Sequence, residues 1–191
     1  MSLRILVAED ETIIRLDLRG LLERAGYEVV AEARDGEEAV ELARTHQPDL
    51  AVMDVKMPRL DGIEAARRML EERPIPIVML TAFDQRELVE RAAEAGVYGY
   101  LVKPFREQDV LPAIELARAR YDELVAVRAD ADSLAQALAD RKVIERAKGL
   151  LMEREQLSEG AAFARLRKAS QVSGRPLRVI ADAVIATFES A

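Results

Sequence analysis

The chain has 191 residues, a net charge of −7 and no cysteine, which fits one ordinary domain plus a smaller one and leaves out a disulfide framework. Its first apolar run, residues 3–8, meets acids after about six residues, far short of a leader's apolar stretch or the roughly 20 residues of a spanning helix. A cytoplasmic protein with no membrane partner is expected.

Four apolar runs, at residues 3–8, 50–53, 77–80 and 98–102, are short, rich in Val, Ile and Leu, and free of internal proline. They read as buried parallel strands. Between them lie helical stretches at 13–25, with Ile14, Leu18, Leu21 and Leu22 on one face, and at 36–45, which follows a Val29-Val30 strand. The alternation predicts an α/β fold with a parallel sheet. Each run stops at a polar site: Glu9-Asp10, Asp54, Thr81 and Lys103-Pro104. In an open parallel sheet, ligands bind beyond the carboxyl ends of the strands, where the strand order reverses. The single histidine, His46, ends a predicted surface helix and has no cysteine or second histidine with which to bind zinc.

Glu9, Asp10 and Asp54 in one crevice would repel one another unless a hard cation sat between them, and such oxygen ligands suit Mg²⁺. An Asp carboxylate in that setting can attack phosphorus, and Asp54 is the candidate. A transferring phosphoryl group spreads charge over three oxygens, for which Lys103 supplies an ammonium and Thr81 a hydroxyl. Taken singly these residues could be caps, turns or a chance Lys-Pro pair. Their common placement at strand ends favours one site.

The acidic pair Glu9-Asp10, the stretch Met53-Asp54-Val55-Lys56-Met57-Pro58-Arg59-Leu60-Asp61-Gly62, then Leu80-Thr81-Ala82 and Lys103-Pro104-Phe105 make residues 1–120 resemble a response-regulator receiver domain. The resemblance implies a flavodoxin-like five-stranded domain that takes a phosphoryl group from a histidine kinase onto Asp54, and that is not itself an enzyme acting on other substrates. It implies that Asp10, Asp54 and the Lys56 backbone carbonyl bind Mg²⁺, with Glu9, where the family more often has Asp, acting through water. It also implies a cis Lys103-Pro104 bond, and a switch in which Tyr100 moves inward with Thr81.

From residue 107 to about 155 the composition is that of a long helix. Val110, Ile114, Ala117, Tyr121, Leu124, Arg128, Ala131, Ala135 and Leu138 form a stripe at steps of four and three, suited to pairing two helices over 107–138 or to packing on a core within one chain. Charge then changes sign. Residues 141–178 carry ten Lys or Arg against four acids, whereas residues 1–120 carry seventeen against twenty-four. A basic cluster on an acidic protein fits a polyanion partner or a solvated helix face.

The run Ala139-Asp140-Arg141-Lys142-Val143-Ile144-Glu145-Arg146-Ala147-Lys148-Gly149-Leu150-Leu151-Met152, with Leu157-Ser158-Glu159-Gly160-Ala161-Ala162-Phe163 and Leu166-Arg167-Lys168-Ala169-Ser170, makes residues 134–191 resemble an ANTAR domain. That resemblance implies RNA binding and transcription antitermination. Local signals predict three helices, the first ending near Arg154, the second capped by Ser158 and reaching about Ser170, with a Ser173-Gly174-Arg175-Pro176 turn before the third. Ala147, Leu151, Ala162, Phe163, Leu166, Ala169, Ile180 and Ala181 read as core, so no exposed aromatic is expected. Arg141, Lys142, Arg146 and Lys148 are the first candidates for RNA contact, followed by Arg167, Lys168, Arg175 and Arg178. Phosphorylation of Asp54 is expected to favour dimerisation and thereby capture of RNA stem-loops in nascent transcripts. Three alternatives stand beside this: a DNA-binding output, a phosphorylation-independent scaffold, and an aspartyl-nucleophile phosphatase, which wants a second acid where Lys56 stands.

Overall fold

Strand residues of the first unit alternate between two apolar clusters, which is why the strands read as unbroken apolar runs. Ile5 and Val7 face Leu18, Leu21 and Leu22, while Leu6 and Ala8 face Val40, Ile63, Ala66 and Met69. The computed structural model describes residues 2–82 and 96–189. Its elements are β1 (Arg4–Ala8), α1 (Thr12–Arg24), β2 (Glu28–Ala33), α2 (Gly36–His46), β3 (Leu50–Asp54), α3 (Gly62–Glu72), β4 (Ile77–Ala82) and β5 (Gly99–Lys103), followed by α4 (Glu107–Glu155), α5 (Glu159–Ser173) and α6 (Leu177–Glu189). All pairings are parallel, in the order β2-β1-β3-β4-β5. The flavodoxin-like architecture is as expected.

The edges of the elements differ slightly from the apolar runs. The β4–β5 ladder carries Thr81 opposite Val102 and Ala82 opposite Lys103, so backbone pairing extends past the point where apolar side chains stop. Two helix starts are fixed by side-chain caps, Asp35 accepting from the Glu38 amide at 2.9 Å and Asp61 from the Glu64 amide at 2.8 Å.

Contacts divide the chain into two units, Met1–Val125 and Ala126–Ala191. In the first, Val110, Ile114 and Ala117 are buried against the sheet, and Tyr121 donates its hydroxyl to the Pro74 carbonyl at 2.8 Å while its ring meets Tyr98 edge to face. That half of the α4 stripe is therefore core of the first unit and is not free to pair with another chain. Beyond it, Val127, Leu134 and Leu138 are exposed.

The second unit is a three-helix bundle with a small core of Ala147, Leu151, Ala162, Leu166 and Ala181. The alanines allow close helix approach, and Ser158 caps α5 by accepting from the Ala161 amide at 3.3 Å. Phe163 and Ala169, expected in this core, are exposed instead, while Phe188 packs against it. With so few bulky residues, each one matters. Leu166→Ala is expected to cost about 3 kcal/mol, since Leu→Ala in a full core leaves a cavity. Denaturant titration should show a weakened C-terminal unit while the first unit unfolds as in the wild type.

Candidate phosphoacceptor site and basic helical unit

The chain runs from β1 outward to β2, then crosses back so that β3 pairs with the other side of β1. This reversal opens a crevice at the carboxyl ends of β1 and β3. Glu9 and Asp10 follow β1 directly and Asp54 is the last residue of β3, so three carboxylates from distant segments come within 4.8 Å of one another. From the end of β5 Lys103 reaches in, its Nζ 2.6 Å from Glu9 Oε2 and 3.0 Å from Asp54 Oδ2. Thr81 is buried and donates its hydroxyl to the Ala82 carbonyl at 3.2 Å. Tyr100 is half-buried against the cluster on the α2–α3 face, and the Lys103–Pro104 bond is cis.

Electrostatics at this edge are finely balanced. Burial pushes the Glu9 carboxyl above its ordinary pKa, opposed by the Lys103 ammonium and reinforced by the Asp54 charge. Burial likewise raises Asp54, against Lys103 and the Lys56 and Val55 amides. Burial alone would lower Lys103, but the two carboxylates hold its pKa above the usual value. Lys103 thus stays charged between two acids that the fold would rather keep neutral. Glu9 Oε2 is fully buried and, among the described residues, its close neighbour is the Lys103 ammonium at 2.6 Å, which leaves it room for a further cation. An all-oxygen donor set with such an atom fits a hard divalent cation such as Mg²⁺.

Some supports of the site are absent from the sequence motifs. Arg15 donates to the Glu9 carbonyl at 2.6 Å and to the Asp10 carbonyl at 3.5 Å, fixing the turn that carries the acids. Asp35, almost fully buried, holds Arg59 in an ion pair, and the Gly36 amide donates to the Leu60 carbonyl at 3.2 Å. These contacts clasp the loop after Asp54. Asp35 stands just before a predicted helix, a position that suits a cap, but its pairing with Arg59 is a tertiary contact that spacing does not encode. Lys56, two residues after Asp54, has its side chain exposed.

Within the basic unit the candidate cations differ in their surroundings. Arg141, Lys142, Arg167, Lys168 and Arg175 are exposed, and among the described residues their side chains have no ion-pair partner. Arg146 pairs with Glu189, and Arg178 with Asp140 at 2.8 Å and Asp182 at 3.6 Å. Lys148 points inward: its side chain is 8% exposed, with Nζ 2.7 Å from Glu159 and 3.1 Å from Glu145. Its charge is met within the unit.

Fold and site together define a receiver-type signalling domain joined to a helical output unit. Comparison with known proteins agrees. Residues 5–115 match the response regulator receiver domain and residues 132–185 the ANTAR domain. The transcriptional regulatory protein PdtaR of Mycobacterium tuberculosis H37Rv is 50% identical over 185 residues, 97% of this chain and 90% of that protein. Chemotaxis protein CheY of Bacillus subtilis is 40% identical over 115 residues, 60% of this chain and 96% of CheY. Among solved structures, the signal receiver domain of a modulated diguanylate cyclase from Desulfovibrio desulfuricans G20 superposes with a TM-score of 0.60 at 32% identity, covering 64% of this chain and 98% of that one. The chain belongs to the response regulators that join a receiver domain to an ANTAR domain. Both domains are regulatory, and receivers bind Mg²⁺ in an acidic pocket of the kind made by Glu9, Asp10 and Asp54. Among the described residues no helix is long and apolar enough to cross a membrane.

Proposed function

We propose that this response regulator accepts a phosphoryl group on Asp54 from a histidine kinase and, once phosphorylated, binds RNA stem-loops so as to favour transcription antitermination. The observation that carries this reading is the convergence of Glu9, Asp10, Asp54 and Lys103 on one sheet edge, in a chain that also holds an ANTAR unit. An Asp54 carboxylate oxygen attacks phosphorus, the phosphorus–nitrogen bond of the donor phosphohistidine breaks, and the electron pair returns to the imidazole. Lys103 stabilises the oxygens of the transferred group, and the Thr81 hydroxyl then turns to it, with Tyr100 following. Glu9, Asp10, Asp54 and the Lys56 carbonyl would hold Mg²⁺, which when bound offsets the negative charge gathered there.

The output follows from helix pairing. Since Val110, Ile114 and Ala117 serve the receiver core, pairing belongs to the later part of α4. Val127, Ala131, Leu134 and Leu138 recur at steps of four, three and four, a heptad seam that leaves Arg128 off the contact line. In a parallel pair it sets Glu123 of one helix near Arg128 of the other. Two ANTAR units then face two stem-loops, with Arg141, Lys142, Arg167, Lys168 and Arg175 on phosphates and Arg146 and Arg178 behind them. Cytoplasmic location follows from these partners.

The test compares wild type and Asp54→Asn, both treated with acetyl phosphate and Mg²⁺, for binding to tandem hairpin RNA at fixed salt. Equal binding would sink the phosphorylation link. Removing two phosphate contacts with Arg141→Ala and Lys142→Ala is expected to weaken binding about uniformly across RNA sequences. The slope of log affinity against log salt should become shallower by roughly 1 per residue removed.

A further inference from the structure

The helical pattern assigns Phe163 to the core of the C-terminal unit, yet the residue is 40% exposed and lies outside the buried cluster. It is also held in place. Lys148 reaches across from α4 and sets its ammonium over the ring, 5.9 Å from the centroid, while Glu159 and Glu145 fix that ammonium at 2.7 and 3.1 Å. A long side chain that is 8% exposed and bound by two carboxylates has little rotamer freedom left. The ring rests on a fixed cation instead of rolling into the core. Val172, the more exposed of the two large apolar residues on the surface of α5, has no such cation beside it among the described residues.

Four residues further along α5, and so on the same helix face, stands Arg167, exposed and without an ion-pair partner among the described residues. A rigid aromatic ring beside a free guanidinium suits a nucleotide that is not base-paired, the base stacking on the ring and the guanidinium taking the flanking phosphate. We propose that Phe163, braced by Lys148, is a stacking platform for an unpaired loop base of the bound RNA, with Arg167 on the adjoining phosphate. This rests on the RNA-binding reading above and sharpens it. Recognition then includes the single-stranded loop, and Lys148 acts as a positioning residue instead of a phosphate contact.

The experiment uses the full-length protein treated with acetyl phosphate and Mg²⁺, and two probes: tandem hairpin RNAs with randomised nucleotide loops, and the same stems closed by abasic spacers. Phe163→Leu keeps apolar bulk and removes the ring face, and the thermal midpoint of the C-terminal unit confirms that it folds. Stacking on one base is worth about 1–3 kcal/mol, so Phe163→Leu is expected to lose roughly 10- to 100-fold in affinity for nucleotide loops and none for spacer loops. The chain has no tryptophan, so Phe163→Trp introduces a single indole that can be excited apart from the tyrosines. It should retain affinity and be quenched by nucleotide-loop hairpins, but not by spacer-loop hairpins or duplex DNA. Wild-type affinity in Phe163→Leu, equal losses on both probes, or an unquenched Trp would each overturn the proposal while leaving RNA binding intact. Failure of the wild type to bind either hairpin removes the RNA reading itself and the platform with it.

Discussion

Asp54→Asn, incubated with acetyl phosphate and Mg²⁺, is expected to take up no phosphoryl group, where the wild type gains one by intact-mass measurement. An amide oxygen is not a competent nucleophile here; Glu9 also meets Lys103 but is fully buried, whereas Asp54 at the end of β3 keeps some exposure to an incoming donor. The same substitution has a second expected effect, on stability. Both Glu9 and Asp54 are raised above their ordinary pKa values in the fold, chiefly by burial. A carboxyl raised on folding binds its proton more tightly in the folded state, so its stabilising contribution is present at low pH. That contribution is lost as pH rises from the ordinary carboxylate range through the raised folded values. Toward neutral pH the metal-free wild type therefore loses the contribution of both groups, and Asp54→Asn removes one titrating carboxyl from the pair. In EDTA the variant should melt a few degrees higher than wild type, and excess Mg²⁺ should narrow or reverse the difference. A lower melting temperature in EDTA would mean that the Lys103–Asp54 ion pair outweighs the burial cost.

Gly62→Ala is expected to be the most damaging single-methyl change in the receiver. A Cβ at Gly62 would fall inside van der Waals contact with the Asp54 carbonyl oxygen, 2.9 Å from the carbonyl carbon and 3.2 Å from the Val55 Cα. All of these are backbone atoms, with no flexible side chain to yield. The Gly62 amide also donates to the Val55 carbonyl at 2.9 Å, so α3 cannot back away without breaking that bond. Overpacking of this kind costs about 3 kcal/mol, and here the atoms displaced belong to the backbone of Asp54. Chemical denaturation should report the stability loss. Phosphoryl uptake from a small donor should fall more than tenfold in protein that remains folded.

Residue type and position made the receiver site legible before any coordinates. A strand buried on both faces must be apolar throughout, so Asp54 or Thr81 marks the strand's end by interrupting the run, and in a parallel sheet those ends share one edge. Glu9, Asp10, Asp54 and Lys103 do meet there. The clasp of Arg59 on Asp35 was not legible, because it joins two loops through one ion pair and leaves no periodic trace. In the C-terminal unit the difficulty was orientation. Alanine-rich helices have little contrast between faces, so spacing alone cannot say whether Phe163 turns in or Lys148 turns out, and each lies opposite to expectation. The α4 stripe posed a third problem: its period is continuous, but its early positions face the receiver sheet and its later ones are exposed. Periodicity identifies an apolar face and is silent on what covers it.

That division of α4 bears on how such a protein can change over time. Up to Tyr121 the helix is constrained by the packing of its own receiver, so drift there is limited by folding. After Leu124 the exposed positions are released from that demand, and substitutions there need satisfy only whatever meets the helix. An output unit exchanged by recombination would best be joined between those two points. There a new partner inherits an intact receiver, and whole-heptad insertions preserve the angular phase of the stripe.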